Sequence, residues 1–192
     1  MIDILKKEIL ESIEVKKLLL DSLDNLKLIE ELVIESIKSL KNGGKIIFCG
    51  NGGSFADSQH LTAEFISKLR FDRNPLPAIA LGTNSSNLTA IGNDYGFEYI
   101  FERELIALHR ENDIFIPIST SGNSENIIKA IIKANELGIK TYGLTGINGG
   151  KMDVLCNTIK VPSHKTEKIQ ECHIMIGHII CSLIEKEIFN GK

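Results

Sequence analysis

Residues 113–124 read Asp113-Ile114-Phe115-Ile116-Pro117-Ile118-Ser119-Thr120-Ser121-Gly122-Asn123-Ser124. After Asp113, the next five residues are apolar and three of them are isoleucine, so residues 113–118 predict a strand inside a sheet. From Ser124 onward, apolar side chains recur at helical spacing, so the serine-rich turn ends at a helix N-terminus. Backbone N–H groups there carry partial positive charge and hydroxyl side chains add donors, so the turn suits a phosphate. A plain Ser/Gly-rich turn with Ser124 as the N-cap has the same composition, and the turn alone does not separate the two readings.

Short apolar runs alternate with helical runs over most of the chain. Strands that alternate with helices form βαβ units and a mainly parallel sheet with helices on both faces. We therefore expect an α/β fold of three layers around a five-stranded, mainly parallel sheet. The predicted strands are Lys45–Cys49, Ala78–Leu81, Asp113–Ile118, Lys140–Leu144 and Thr158–Val161, and the predicted helices are 54–70, 85–91, 97–109, 124–137 and 167–188.

The first part of the chain has a different pattern. Residues 3–41 carry apolar side chains at helical spacing, which predicts two helices, and Asn42-Gly43-Gly44 ends the second. We find no linker, repeat or low-complexity segment, so we expect one domain over 1–192, with N-terminal helices in 1–42 and an α/β core in 43–192. An amphipathic helix pair needs a partner surface, which favours an oligomer.

Composition excludes several classes of function. Hydrophobic content of 43% and charged content of 24% are ordinary for a globular protein, and a net charge of -3 argues against nucleic-acid binding. No apolar run approaches the roughly 20 residues of a membrane span, and the start of the chain lacks a signal-peptide core. The four cysteines form no C-x-x-C pair, which favours buried reduced thiols. We expect a cytoplasmic protein that does not bind membranes.

Three loops follow strands at the edge of the sheet where ligands bind in such folds. They are Gly50–Ser54, Ser119–Ser124 and Thr145–Lys151. The first is not a G-x-G-x-x-G motif, because Phe55 stands at the third glycine position. The last lacks the first glycine and the Ser/Thr of a P-loop. A nucleotide enzyme is therefore not expected.

Two helical segments carry side chains that could perform acid–base or metal chemistry. His60 and Glu64 are four residues apart and share one helix face. An H-x-x-x-E pair alone is a weak metal signal, because it lacks the further histidine of H-E-x-x-H. The last helix carries Gln170 and, between isoleucines, His178. A histidine in such surroundings is also typical of a core position.

Together these segments resemble the sugar isomerase (SIS) domain and, within it, the phosphoheptose isomerases. The resemblance covers nearly the whole chain. The Ser-Thr-Ser-Gly-Asn-Ser turn alone indicates only a sugar-phosphate loop of the SIS kind, whereas the set formed by Asn51–Ser54, His60/Glu64 and Gln170/His178 is much more specific. The matching segments are Cys49–Ser54, Asp57 through His60, Ala63-Glu64, Gly92–Phe97, Ile118–Ser124, Leu144–Gly146, Gly149–Met152 and Ile169–His173.

The resemblance implies an aldose–ketose isomerase. The family converts sedoheptulose 7-phosphate to D-glycero-D-manno-heptose 7-phosphate through a cis-enediol, for the heptose of lipopolysaccharide or capsule. By similarity, Glu64 is the base and His178 is its acid partner. The phosphate would bind to Ser119, Thr120, Ser121 and Ser124, and the rest of the substrate to Asn51, Gly52, Gly53, Ser54, Glu64, Asn93, Asp94 and Gln170.

The resemblance also implies a metal and an assembly. Some family members bind zinc at positions that match His60, Glu64, Gln170 and His178, so we expect one zinc per subunit, acting as a Lewis acid. Gln170 and His178 are about 12 Å apart on an ideal helix. Both can reach one ion only if the helix begins near Gln170 and that side chain points back. The family forms homotetramers with sites shared between chains.

Some positions depart from the family pattern and leave the exact sugar open. Lys68 replaces an expected arginine, Phe55 replaces a smaller residue, and residues 163–168 carry a histidine and two lysines where acidic residues and an arginine are expected. One alternative is a non-catalytic SIS protein that binds a sugar phosphate or a protein partner, as in the related SIS proteins of replication initiation. That alternative predicts the loss of Glu64 or His178, and both are present. The other alternative is an isomerase of a pentose or hexose phosphate.

Overall fold

The computed structural model describes residues 1–189. It contains the two N-terminal helices and the five strands that the sequence predicts. The helices are α1 (Ile2–Leu20), α2 (Leu23–Lys41), α3 (Gly53–Ile66), α4 (Ser85–Asp94), α5 (Ile100–Leu108), α6 (Glu125–Glu136) and α7 (Thr166–Ile188). The strands are β1 (Ile46–Gly50), β2 (Ala78–Ala80), β3 (Ile114–Ile118), β4 (Lys140–Gly146) and β5 (Asn157–Val161), and short 3-10 helices cover Phe97–Tyr99 and Gly150–Val154.

The five strands form one sheet in the order β2-β1-β3-β4-β5, and every neighbouring pair is parallel. At the carboxyl edge, Gly50 pairs with Ile118, and Ile118 pairs with Leu144. This register places the loops after β1, β3 and β4 side by side. The predicted α/β class and the shared edge for the three loops are confirmed.

Successive residues of the strands point to opposite faces of the sheet, and each face has its own apolar core. Phe48 and Ile116 lie in the core that also holds side chains of α2, α3 and α7. Ile47 and Phe115 lie in the core that also holds side chains of α5 and α6. The strands are buried on both faces, so the three-layer expectation is confirmed.

Helices α3 and α7 lie side by side and run in the same direction. Gln170 lies over Gly53 near the start of both helices, and Leu61 packs against Gly177 further along. A Cβ on Gly177 would collide with the Leu61 side chain, so this glycine permits the close approach. The pairing brings the middle of α3, with His60, beside the middle of α7, with His178.

Two predicted helices have different bounds in the structure, and one 3-10 helix was not predicted, each for a local reason. The helix predicted at 97–109 is a 3-10 turn followed by α5, because Gly96 adopts a φ of 107° and its carbonyl accepts from Tyr99. Helix α3 ends at Ile66 rather than 70, because the N–H groups of Leu69 and Arg70 donate to Glu185. The 3-10 helix over Gly150–Val154 was not expected, because glycines with positive φ precede and open it.

The helices and the cysteines were both considered from composition. None of the helices within residues 1–189 combines the length and the apolar character that crossing a membrane requires. All four cysteines are free, and Cys49, Cys172 and Cys181 are buried as predicted. Cys156 is only partly buried.

Candidate active site

The turn after β3, residues 119–124, is called the Ser loop below. Ser119 is buried, Thr120 and Ser124 are half-buried, and Ser121 is exposed. The hydroxyls of Ser119 and Ser124 converge, with their Oγ atoms 3.2 Å apart. Ser124 occupies the N-cap position of α6, yet its hydroxyl caps no backbone N–H. The Ser124 hydroxyl therefore pairs with Ser119 rather than with the helix, and the two hydroxyls keep donor and acceptor capacity for a ligand, which favours the phosphate reading over the plain N-cap reading.

The loop after β4 holds the Ser loop in shape. The N–H of Gly146 donates to the carbonyl of Thr120 at 3.1 Å, and the N–H of Met152 donates to the carbonyl of Gly122 at 3.1 Å. Gly122 has a φ of 64°, and a Cβ there would collide with the carbonyl oxygen of Gly149. Only glycine fits this position, so the Ser loop has one well-defined conformation.

The loop after β1 is tied to the Ser loop. The side chains of Asn51 and Asn126 exchange two hydrogen bonds of 2.9 Å, and Asn126 lies in the first turn of α6. Gly52 has a φ of 55° and is exposed, as is Gly53, whereas Ser54 is buried. Four of the predicted substrate residues, Asn51, Gly52, Gly53 and Gln170, thus lie at the same sheet edge as the Ser loop.

A second group of predicted residues converges further along α3 and α7. His60 Nε2 lies 2.7 Å from His178 Nε2 and 3.2 Å from Glu64 Oε1. All three donor atoms lie within 4.8 Å of one another. Two imidazole nitrogens and a carboxylate oxygen around one point are a donor set that zinc accepts. The residues present therefore fit the expected metal.

The fourth expected ligand is not part of this group within one chain. Helix α7 begins at Thr166, four residues before Gln170, so the condition for Gln170 to reach the ion of His178 is not met. Gln170 instead lies over Gly53, about 12 Å along α7 from His178. Similarly, Glu64 lies eleven residues into α3, about 16 Å from the loop that opens this helix. The Ser loop and the His60/Glu64/His178 group are thus separate in a single chain.

The remaining predicted residues, Asn93 and Asp94, end α4. Both are exposed, and Asn93 donates to the Asp94 carboxylate at 2.8 Å. The 3-10 helix that follows contributes Phe97 and Glu98 to a cavity of about 440 Å³, which Asn51 and Ser124 also line. The chain after α4 therefore borders the Ser loop.

Sequence reasoning gave no role to Asp57, which lies one turn before His60. One of its carboxylate oxygens is buried without a partner among the described residues, and burial raises the pKa of Asp57 to about 6. The i,i+3 spacing to His60 was the available signal.

Of the departures from the family pattern, Lys68 is exposed, whereas Lys168 is buried and pairs with Glu8 of α1 at 3.4 Å. Nothing in the structure explains the change at Lys68.

Comparison with known proteins places this geometry in context. The SIS domain model matches residues 14–146. The chain is 54% identical to a phosphoheptose isomerase of Aneurinibacillus thermoaerophilus, over 99% of this chain and 96% of the relative. It is 50% identical to one of Clostridium acetobutylicum, over 98% and 96%.

Solved structures give the same result. A phosphoheptose isomerase from Francisella tularensis superposes with a TM-score of 0.91 at 37% identity, and one from Neisseria gonorrhoeae with 0.89 at 38%. Each comparison covers 96% of this chain and 98% of the solved chain. The sequence and the fold therefore point to the same family.

Proposed function

The chain belongs to the phosphoheptose isomerases of the SIS-domain family, and we propose that it converts sedoheptulose 7-phosphate to D-glycero-D-manno-heptose 7-phosphate, for the heptose of lipopolysaccharide or capsule. The observation that carries this proposal is the convergence of Glu64 and His178 with His60, in a chain whose Ser loop brings the hydroxyls of Ser119 and Ser124 together at the start of a helix. A non-catalytic SIS protein would not need the converging side chains of His60, Glu64 and His178.

The reaction moves a carbonyl from C2 to C1, and this chain supplies a base and an acid for it. Glu64 removes the carbon-bound proton at C1, and the C–H electron pair becomes the C1=C2 bond of the enediol as His178 donates a proton to the C2 oxygen. The C1 hydroxyl then returns a proton to His178, and Glu64 delivers its proton to C2. The product is the aldehyde at C1, and both side chains regain their starting states.

The substrate must also be held at its other end. The Ser loop would bind the phosphate through Ser119, Thr120, Ser121 and Ser124, and Asn51, Gly52, Gly53, Ser54, Asn93, Asp94 and Gln170 would bind the sugar. Positioning a flexible seven-carbon chain at both ends removes much of the entropic cost of the reaction.

We propose one zinc ion per subunit, which His60, Glu64 and His178 would hold through one ligand atom each, so that the second carboxylate oxygen of Glu64 and the second ring nitrogen of His178 remain for proton transfer. When bound, zinc supplies Lewis-acid polarisation of the substrate carbonyl. The donor set of these three side chains supports this proposal. The buried, free thiols of Cys49, Cys172 and Cys181 support a cytoplasmic location.

The test of function is turnover of sedoheptulose 7-phosphate by the purified protein, with the aldose product identified by NMR. Ribulose 5-phosphate and fructose 6-phosphate serve as comparison substrates. We expect turnover of the heptose phosphate, with a kcat/KM above that of either shorter sugar. A higher kcat/KM for a shorter sugar would assign a different substrate, and binding without turnover would favour a non-catalytic SIS protein.

Zinc removal is a separate prediction. We expect dialysis against a chelator to abolish most of the activity, and one zinc per chain to restore it, with His60→Gln lowering the bound zinc measured by elemental analysis. Zinc binding requires neutral imidazole and a carboxylate, so its affinity should fall on acidification. Activity that survives complete removal of metal would overturn the zinc proposal and leave the isomerase in place.

We propose that the active site is shared between chains of a homotetramer. The carbon chain of a fully extended sugar phosphate lengthens by about 1.2 Å per bond, so C1 and C2 of a heptose 7-phosphate lie about 8–10 Å from its phosphorus atom. That is less than the roughly 16 Å by which α3 rises between the loop after β1 and Glu64 in one chain. The exposed apolar side chains of α1, which include Ile2, Leu5, Ile9 and Ile13, offer a surface that a second copy could cover.

Mixed oligomers test this sharing. Glu64→Gln removes the base, and Ser124→Asp keeps a good N-cap but repels phosphate, so each variant alone should be inactive. If loop and base come from different chains, random mixing of the two variants restores about a quarter of the wild-type activity. If both come from one chain, every site in the mixture carries a change, and the mixture stays inactive. Wild type taken through the same mixing procedure is the control.

A further inference from the structure

His173 is a histidine that the proposed chemistry does not use. Among the five histidines, all of which lie in the described residues, it alone is fully buried. Its Nε2 lies 3.2 Å from the carbonyl oxygen of Thr145 at the end of β4. A carbonyl only accepts, so Nε2 carries the proton and donates. Burial lowers the pKa of His173 to about 4, so the ring is neutral at physiological pH.

The Thr145–Gly146 peptide connects this histidine to the Ser loop. Its carbonyl accepts from His173, and its N–H, on Gly146, donates to the carbonyl of Thr120 at 3.1 Å. A Cβ on Gly146 would collide with Ile169 and crowd the Thr120 carbonyl, so the peptide is tightly packed. One peptide group thus links α7 to the middle of the Ser loop.

A polar side chain at this point has a cost that an apolar residue would avoid. His173 Nδ1 and Thr145 Oγ1 are both buried without a hydrogen-bond partner in the described part of the chain. Unpartnered buried polar atoms destabilise a fold, and the neighbours of His173 on the core face of α7 include Cys172, Ile176 and Ile180. Packing alone is met by such apolar side chains, so a histidine here needs another reason.

We propose that His173 is a positioning residue for the phosphate site. Its Nε2–H fixes the Thr145–Gly146 peptide, and that peptide fixes the Thr120 carbonyl and so the orientation of the Ser loop. The inference rests on the proposed function in one respect, that the Ser loop binds the substrate phosphate. His173 touches no reacting atom in this scheme, so its loss should weaken phosphate binding and leave the chemical step intact.

Two substitutions separate the hydrogen bond from the packing. His173→Leu fills the buried position with an apolar side chain but leaves the Thr145 carbonyl without its hydrogen-bond donor. His173→Gln can still donate to this carbonyl from Nε2. We expect the Kd for inorganic phosphate, measured by 31P NMR, to rise about tenfold in the Leu variant and to stay within about threefold of wild type in the Gln variant. His109→Gln, at the end of α5, is a control that should bind as wild type does.

Kinetics gives a second readout of the same variants. The Leu variant should show a KM for sedoheptulose 7-phosphate raised about tenfold, with kcat within about twofold of wild type. Equal phosphate binding by the Leu variant and wild type, or a Gln variant as weak as Leu, would overturn the proposal and leave His173 as core packing.

The unmodified protein keeps the proposal testable if the Leu variant does not fold. Phosphate should shift the Nε2–H resonance of His173 and the amide resonance of Gly146, and constancy of both would overturn the proposal. If wild type binds phosphate but does not isomerise the heptose phosphate, the proposed function fails while this inference is still tested by binding. If wild type isomerises the heptose phosphate but His173→Leu changes neither the Kd for phosphate nor the KM, this inference fails while the proposed function stands.

Discussion

Glu64→Gln should lower the kcat for sedoheptulose 7-phosphate by about a thousandfold or more, with a smaller effect on substrate binding. A positioned general base typically contributes about 10²–10⁴-fold, and glutamine keeps the size of the side chain but cannot take the proton from C1. Because Glu64 lies 3.2 Å from His60 Nε2, the change also removes a candidate zinc ligand, which adds to the loss. Initial rates at saturating substrate give kcat, and exchange of the C1 proton with solvent deuterium reports proton removal directly.

Two controls make this result interpretable. Glu111→Gln changes an exposed glutamate at the opposite edge of the sheet and should leave kcat unchanged. Zinc content, measured for Glu64→Gln and wild type, separates loss of the base from loss of the metal. A Glu64→Gln protein that retains a tenth of the wild-type kcat would rule out Glu64 as the base.

The strands and the placement of the loops could be predicted because they depend on local pattern. Each strand of the sheet centre is buried on both faces, so it appears in the sequence as a short apolar run, as in 114–118. Parallel strands have their carboxyl ends at one edge, which is why the Ser loop and the loop after β1 could be expected to meet. The two hydrogen bonds between the side chains of Asn51 and Asn126 join these loops, as expected.

The acid–base group could not be located from spacing alone. The i,i+4 relation of His60 and Glu64 is local, but His178 is 118 residues from His60. Their contact depends on α3 and α7 lying parallel on one face of the sheet, and strand order sets which helices become neighbours. Only the family resemblance connected these residues beforehand. The same helix geometry explains why Gln170 lies apart from the group. Because α7 already begins at Thr166, Gln170 is inside the helix, two turns before His178.

Arg73 is a structurally important residue that sequence reasoning missed. It lies between α3 and β2 in a segment without periodicity, where a charged residue is usually solvated. In the structure its guanidinium is almost fully buried and pairs with the carboxylate of Glu185 at 2.9 Å. It also donates to four backbone carbonyls, of which one belongs to Glu64, at 2.7 Å. Arg73 therefore joins the end of α3 to the end of α7.

Arg73→Met should destabilise the protein by about 3–5 kcal/mol, because it leaves the Glu185 carboxylate buried without its countercharge. The measurement is urea unfolding at one fixed protein concentration, since assembly contributes to the apparent stability. Arg70→Met is the matched control, because Arg70 is exposed and its side chain bonds to Ser182 alone within residues 1–189, so a change within about 0.5 kcal/mol is expected. An Arg73→Met protein as stable as this control would show that the pair contributes little.

The double variant Arg73→Met with Glu185→Gln tests the cause of that loss. If the cost of Arg73→Met is the uncompensated charge, removing the charge as well should recover part of the stability, and the double variant should be more stable than Arg73→Met alone. The glutamine carbonyl can still accept from Leu69 or Arg70, whose N–H groups lie 3.1 and 2.9 Å from the carboxylate of Glu185. A double variant less stable than either single variant would instead assign the loss to the carbonyls that Arg73 satisfies, including that of Glu64, and kcat should then fall with the stability.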